Sequence, residues 1–342
     1  MCGIAGFIGG STFKKSDETA QVLKKMSDTL INRGPDSFGI WQDANQRIGF
    51  AHRRLAILDL SDSGHQPMES RSGRYVVTYN GEIYNHLDLR NKINSEFSSN
   101  WMGNSDTETL LACFDIWGIK DTLPLLRGMF SIAVWDKKSK ELTLVRDRLG
   151  EKPLYYGWQK NAGDSAFMFA SDLAAIREHP QFENDIDRGA LSLYMRFCYV
   201  PAPHSIFQGI MKLEPGMCLK VSLDKGIIEK STYWKAFDEV KKGIENPFLG
   251  NESEATDELE KVLQKSVSQQ MISDVPLGAF LSGGVDSSLV VALMQSMSDR
   301  PIQTFTIGFN EKKYNEATFA KEVALHLGTD HTELYVTSNE AL

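Results

Sequence analysis

Cysteine is scarce in this 342-residue chain and nowhere clustered. Its four cysteines, Cys2, Cys113, Cys198 and Cys218, stand far apart without Cys-x-x-Cys spacing, which argues against a structural zinc site or a disulfide scaffold. Long apolar runs are missing too: none approaches the roughly 18 residues that a membrane-spanning helix needs. The opening Met1-Cys2-Gly3-Ile4-Ala5-Gly6-Phe7-Ile8 has no basic stretch ahead of its short apolar one, so it does not read as a secretory signal, and the cytoplasm is the expected location. Dense basic clusters interleaved with aromatics are absent and the formal net charge is −8, so neither nucleic acid nor an anionic membrane is an expected partner. Small molecules are.

What is there fits a soluble globular enzyme: 42% hydrophobic and 24% charged residues in a length that suits two domains. Up to about residue 235 short apolar runs bounded by Gly, Asn or Asp predict strands, among them 75–79, 128–135 and 141–145. Two helices interrupt them, over 17–31 and 106–117, on the spacing of Val22, Leu23, Met26, Leu30 and of Leu110, Leu111, Phe114, Trp117. Residues 236–253 are polar and rich in breakers, with Gly243, Pro247 and Gly250, and read as a linker. From 254 onward helix and strand alternate: helices at 254–272, 286–297 and 315–327, strands at 277–281, 302–307 and 332–336. That order implies a parallel sheet of βαβ units.

Cys2 stands where chemistry can use it. Removal of Met1 would give it a free α-amine with a reference pKa of about 7.7 to 8.0, and a thiol with an amine on the same residue is a nucleophile carrying its own base. Further along, Arg53 and Arg54 end an apolar segment, and either could grip a carboxylate bidentately. Asn80-Gly81 directly follows a strand on what reads as a tight turn, where a side-chain amide and a backbone N–H can form an oxyanion hole. Asp106 opens the second helix, as its cap or as the acceptor of a ligand ammonium.

Cys-Gly-Ile-Ala-Gly at the terminus, Arg33-Gly34-Pro35-Asp36, His52-Arg53-Arg54-Leu55-Ala56-Ile57, Asn80-Gly81-Glu82-Ile83-Tyr84-Asn85 and Ser105-Asp106-Thr107-Glu108 occur in one order. Together they resemble the class II glutamine amidotransferase domain of glutamine-hydrolysing asparagine synthetases, over residues 2–235. The resemblance implies an α+β N-terminal-nucleophile sandwich (αββα) with Cys2 as nucleophile and Asn80 and Gly81 as oxyanion donors. It also implies that Arg54 holds the glutamine α-carboxylate and that Glu82 and Asp106 receive its α-ammonium, while Leu55 and Ile57 line the pocket unless they merely pack.

The second constellation is Ser282-Gly283-Gly284-Val285-Asp286-Ser287-Ser288, read as a loop between a strand and a helix, where backbone N–H groups and the helix dipole favour phosphate. It has neither the Walker lysine nor dinucleotide glycine spacing. It resembles the pyrophosphate loop of ATP pyrophosphatases, which implies an α/β parallel-sheet domain over 254–342. There Asp286 would partner Mg²⁺ and pyrophosphate, and Ser282, Gly283, Gly284, Ser287 and Ser288 would hold the phosphates. Leu281 and Ile307 would pack on adenine, or simply in the sheet. Tyr314, Asn315, Glu316 and the apolar residues after them continue the likeness and read as packing; His331 reads as structural.

The resemblance therefore implies glutamine, aspartate and ATP as substrates, with asparagine, glutamate, AMP and pyrophosphate as products and ammonia passed along a closed path. A homodimer is left open. The chain stops at Leu342 without the family's further acidic loop, so the synthetase half is expected to be incomplete. Two alternatives stand beside this reading: a related amidotransferase acting on another carboxylate, and a non-catalytic nucleotide-binding or assembly module.

Overall fold

A computed structural model describes all residues except 11–15, 98–99, 162–163, 312, 314, 338–339 and 341–342; Tyr314 and Leu342 thus lie outside the described residues. The chain divides into two compact units, Met1–Asn246 and Pro247–Leu342.

The first unit begins with Gly3–Gly9 (β1), Ser16–Asp28 (α1), Ser37–Asp43 (β2), Ile48–Arg54 (β3), Met68–Glu69 (β4) and Tyr75–Ile83 (β5). His86–Glu96 (α2) and Asp106–Thr122 (α3) follow, then Gly128–Asp136 (β6), Glu141–Arg146 (β7), Tyr155–Asn161 (β8) and Asp164–Ala170 (β9). Leu173–Arg177 (α4), Arg188–Phe197 (α5), Ile210–Lys212 (β10), Met217–Ser222 (β11), Gly226–Thr232 (β12) and Ala236–Glu245 (α6) complete it.

These strands make two six-stranded sheets, ordered β10-β8-β9-β1-β3-β2 and β12-β11-β7-β6-β5-β4. Alternation along each strand gives each sheet two apolar faces, and three buried cores fill the spaces that result. Ile4, Ile8, Phe50, Val76, Trp135 and Leu144 pack between the sheets. Val22, Leu23 and Met26 of α1 cover the outer face of the first sheet against Ala5, Phe7 and Met168. Leu110, Leu111 and Phe114 of α3, with Leu89 and Ile93 of α2, cover the second against Tyr79, Ile132 and Val134. The layers are α, β, β, α, the N-terminal-nucleophile sandwich.

Several boundaries differ from the sequence reading. The first helix, expected to run to residue 31, ends at Asp28, and Arg33–Asp36 lies in the non-helical segment between it and β2. Helix α3 runs on past Trp117, kinked where Gly118 takes φ 78°. Residues 236–245, read as linker, are helical: Phe237, Val240 and Ile244 recur at i, i+3 and i+7, a pattern outvoted by the lysines and glycine around them.

The second unit contains Glu252–Gln270 (α7), Gly278–Phe280 (β13), Val285–Ser296 (α8), Gln303–Phe309 (β14), Ala317–Leu327 (α9) and Asp330–Val336 (β15). Its strands form a parallel sheet, β13-β14-β15. Leu281, Val291, Ala320 and Ala324 form its small core. Among the described residues no helix is long and apolar enough to cross a membrane.

Candidate active site

Strand pairing brings distant segments of the first unit to one spot. Because Gly3 of β1 pairs with Arg53 of β3, Cys2 comes to lie beside the chain that leaves β3 at Arg54 and Leu55. The Cys2 thiol donates to the Leu55 carbonyl at 3.6 Å, and the Leu55 N–H donates to Cys2 Sγ at 3.3 Å. Asn80, Gly81 and Glu82 lie in the last part of β5, and Asp106 begins α3. All eight glutamine-site residues read from the sequence, Cys2, Arg54, Leu55, Ile57, Asn80, Gly81, Glu82 and Asp106, line one cavity of about 220 Å³. That volume suits an amino acid better than a drug-sized ligand, which takes roughly 300–1,000 Å³. A second cavity of about 540 Å³ near Trp101 and Met102 contains none of the eight.

Asn80 and Gly81 do not form the tight turn that their residue types suggested. They lie inside β5, which pairs with β6 without interruption from Tyr75↔Asp136 to Ile83↔Gly128. A side chain at Gly81 would meet the Met129 carbonyl at 2.1 Å, so the close approach of β6 explains this glycine. Phe130, opposite Gly81, spends both backbone groups on Asp147, donating to its Oδ2 at 3.2 Å and accepting its N–H at 2.8 Å. Gly81 therefore stands in a non-hydrogen-bonded pair, and its own N–H points away from β6. Two neighbours on that open edge are satisfied: Tyr79 N donates to Gln66 Oε1 at 2.7 Å and Ile83 N to Asp106 Oδ2 at 2.9 Å. The Gly81 N–H between them meets no acceptor among the described residues and opens on the cavity.

Asn80 strengthens that observation. It is 1% exposed, and among the described residues neither its amide nitrogen nor its amide oxygen has a hydrogen-bond partner. Leaving such groups unsatisfied costs about 1–3 kcal/mol each, which packing alone gives no reason to sustain.

Asp106 is not the helix cap. Ser105 caps α3, accepting the Glu108 N–H at 3.2 Å, while the buried Asp106 carboxylate turns to the Tyr79 hydroxyl at 2.7 Å and to Ile83 N. Burial raises the pKa of Asp106 and also that of Glu82, whose neighbour Asp106 pushes the same way. Two carboxyls in one cavity form, when ionised, a receptor for a cation.

The two arginines separate cleanly. Arg53 is spent on structure, paired with Asp28 and donating to Ser27 O at 3.2 Å. Arg54 lines the cavity and holds loop 58–61 by donating to the carbonyls of Leu58 (3.2 Å), Ser61 (3.1 Å) and Asp59. Those bonds leave two of its five N–H groups over. Gly64 makes room for it, since a Cβ there would come within 2.0 Å of Arg54 Nη2.

Burial raises the Cys2 thiol pKa, with the Leu55 N–H opposing. A thiol so placed does not ionise unaided at neutral pH; a base must take its proton as it reacts. His52 is not that base, because burial lowers its pKa to about 3 and its Nε2 lies 3.0 Å from the Tyr79 carbonyl. The terminal amine, carried here by Met1, lines the same cavity, and burial lowers its pKa.

In the second unit helix α8 starts at Val285, so Asp286 and Ser287 sit in its first turn and not in the preceding loop. Gly284 is the cap position and Gly283 takes φ 77°, with Phe319 Cβ and Ala320 N within 2.8 Å of where a side chain would begin. Ser282 and Ser287 share a hydrogen bond of 2.9 Å across the loop, leaving the first N–H groups of α8 unused within the helix. Leu281 is buried in the core, whereas Ile307 stands 48% exposed and so is not explained by burial in the sheet.

Residues 1–234 match the model of a family described as a glutamine amidotransferase domain. The chain belongs to that family. Residues 258–342 match the asparagine synthase family model. A putative glutamine-hydrolysing asparagine synthetase 2 of Methanocaldococcus jannaschii is 38% identical over 98% of the chain and 65% of its own length. Glutamine-hydrolysing asparagine synthetase 1 of Bacillus subtilis is 33% identical over 99% of the chain and 51% of its own length. The chain thus spans about half to two thirds of these relatives. An amidase, chry2, of Gibberella zeae is 30% identical over 96% of the chain and 50% of its own length. Among solved structures, the allosteric regulatory enzyme of purine biosynthesis shares the fold, with a TM-score of 0.51, 14% identity and coverage of 98% of this chain and 80% of that one.

The amidotransferase domain also places residues in the cavity that the sequence reading passed over, chiefly Gln66, Tyr79 and Lys152. Tyr79 and Gln66 hold the edge of β5 and the Asp106 carboxylate, a role visible only once the strands are paired.

Proposed function

We propose that residues 1–235 hydrolyse glutamine at Cys2 and that the released ammonia serves an asparagine synthetase reaction to which the second unit contributes its nucleotide-binding loop. The observation that carries the first half is the unsatisfied pair on β5, the Asn80 amide and the Gly81 N–H, in the cavity that holds the thiol. After Met1 is removed, the Cys2 amine takes the thiol proton while Sγ attacks the glutamine carboxamide carbon. The oxyanion that forms receives hydrogen bonds from Asn80 and Gly81. The protonated amine returns its proton as the C–N bond breaks and ammonia leaves, and water then cleaves the thioester to give glutamate. Arg54 takes the substrate α-carboxylate with its two remaining N–H groups, and Glu82 and Asp106 take the α-ammonium. Leu55 and Ile57 line the pocket beside them.

In the second unit, Ser282, Gly283, Gly284, Ser287 and Ser288 offer hydroxyls and backbone N–H groups that suit the phosphates of ATP. Asp286 is an exposed oxygen donor suited to Mg²⁺, and since the described residues hold no cluster of three metal-ligating side chains, the ion would draw on phosphate oxygens and water as well. Bound there, it would neutralise phosphate charge. Aspartate is the acceptor suggested by the names of the synthetase relatives, and Leu281 and Ile307 are proposed to flank the adenine.

Replacing Cys2 by Ala is expected to lower glutamate release from glutamine by at least about a thousandfold, as loss of a nucleophile does elsewhere, with the melting temperature little changed. Equal rates in the two proteins would remove Cys2 from the chemistry.

A further inference from the structure

Lys152 is only 4% exposed, yet among the described residues its ammonium has no carboxylate within ion-pair distance and no hydrogen-bond acceptor. Lysines are rarely buried without a partner, so something else must place this one. The Asp147 carboxylate, wholly buried, accepts the N–H groups of Phe130 (3.2 Å), Leu149 (3.1 Å), Glu151 (2.9 Å) and Lys152 (2.9 Å), which fixes the turn after β7. That turn delivers the lysine side chain to the cavity it lines with Met1, Cys2 and Glu82.

As the chain stands the terminal amine is that of Met1, and besides burial the groups that act on it are the Cys2 thiol, Lys152 from the turn after β7, Arg33 from the turns after α1, and Glu82 from β5. Removal of Met1 leaves the amine on Cys2, which lines the same cavity as Lys152 and Glu82. Arg33 is itself tied down, its Nε donating to the Cys2 carbonyl at 3.2 Å. The two cations, Lys152 and Arg33, oppose a further positive charge at that nitrogen, while Glu82 and the Cys2 sulfur favour it.

We propose that Lys152 is a positioning residue of the glutamine-hydrolysing site, a cation held beside the amino terminus that keeps this amine in the free-base form able to accept the Cys2 proton. The proposal rests on the reading of Cys2 given above. In the step concerned the proton passes from sulfur to the terminal nitrogen; Lys152 neither gives nor takes one. Burial, the largest influence, acts on the Met1 amine in the same direction as Lys152 and Arg33, while the Cys2 thiol and Glu82 act against them.

The test is the pH dependence of kcat/KM for glutamine hydrolysis in the wild type, Lys152→Met and Lys152→Arg, with the rate of Cys2 alkylation against pH as a readout independent of turnover. Removing the cation favours the ammonium, so the acidic limb in Lys152→Met is expected to move to higher pH by about half a unit or more, and Lys152→Arg is expected to restore it. Should Lys152→Met not fold, Lys152→Gln takes its place in the same measurement. A limb that stays put in the neutral variant while the rate falls would make Lys152 a merely structural residue and overturn the proposal. A wild type whose hydrolysis does not depend on Cys2 would instead overturn the underlying reading.

Discussion

Asn80→Ala should lower kcat for glutamine hydrolysis by about a hundredfold to a thousandfold, the usual cost of losing one oxyanion donor, with little change in KM. Stability should move the other way or hardly at all. The amide is buried with neither donor nor acceptor partner among the described residues, so its removal relieves an unsatisfied group worth about 1–3 kcal/mol and offsets the packing lost with the side chain. A melting temperature that holds while kcat collapses separates a group kept for the transition state from one kept for the fold. If the variant unfolds readily and the surviving folded fraction hydrolyses glutamine at the wild-type rate, Asn80 belongs to the packing alone.

Asp106→Asn should raise KM for glutamine by about tenfold to a hundredfold, since a charge-assisted contact to the substrate ammonium contributes about 1.5–3 kcal/mol. The Tyr79 hydroxyl and the Ile83 N–H both donate to the same Asp106 oxygen, Oδ2. An asparagine oxygen can accept both, so these two bonds are kept. Burial raises the Asp106 pKa above its ordinary 3.8. A carboxyl whose pKa is higher in the folded state contributes stability that is complete below its unfolded value and is lost as pH rises through the folded one. The neutral asparagine keeps that contribution, so the variant is expected to be at least as stable as wild type at neutral pH. By the same sign, KM of the wild type should rise as pH falls through the raised values of Glu82 and Asp106, because only ionised carboxylates hold the ammonium. Unchanged KM in Asp106→Asn would place the substrate ammonium elsewhere.

Much of the cavity was legible because its residues announce chemistry by type and order: a cysteine at position 2, an arginine pair, an amide beside a glycine, a carboxylate opening a helix. What the sequence left open was which member of each pair does what. Arg53 and Arg54 are adjacent, and only the pairing of β3 with its neighbours sends one to Asp28 and the other to the cavity. Asn-Gly is a strong turn signal by local conformational preference, yet here nine paired residues of β5 override it. Asp106 looked like a cap because it opens the helix, but Ser105, one residue earlier, has the side-chain length and extended backbone that cap it. Lys152 gave no signal at all: its burial depends on a turn organised by the Asp147 carboxylate, which has no periodicity to read. In the second unit the alternation of helix and strand was plain from the spacing of apolar residues, whereas the exposure of Ile307 depends on which face of β14 the helices cover.

The most direct test of Cys2 as an amino-terminal nucleophile is peptide mass analysis of the purified chain after reaction with an electrophilic glutamine analogue. The expected product is a single adduct on a first peptide that begins at Cys2, with Met1 gone, and none on peptides containing Cys113, Cys198 or Cys218. An adduct at any other position, or full labelling of a peptide that still carries Met1, would contradict it.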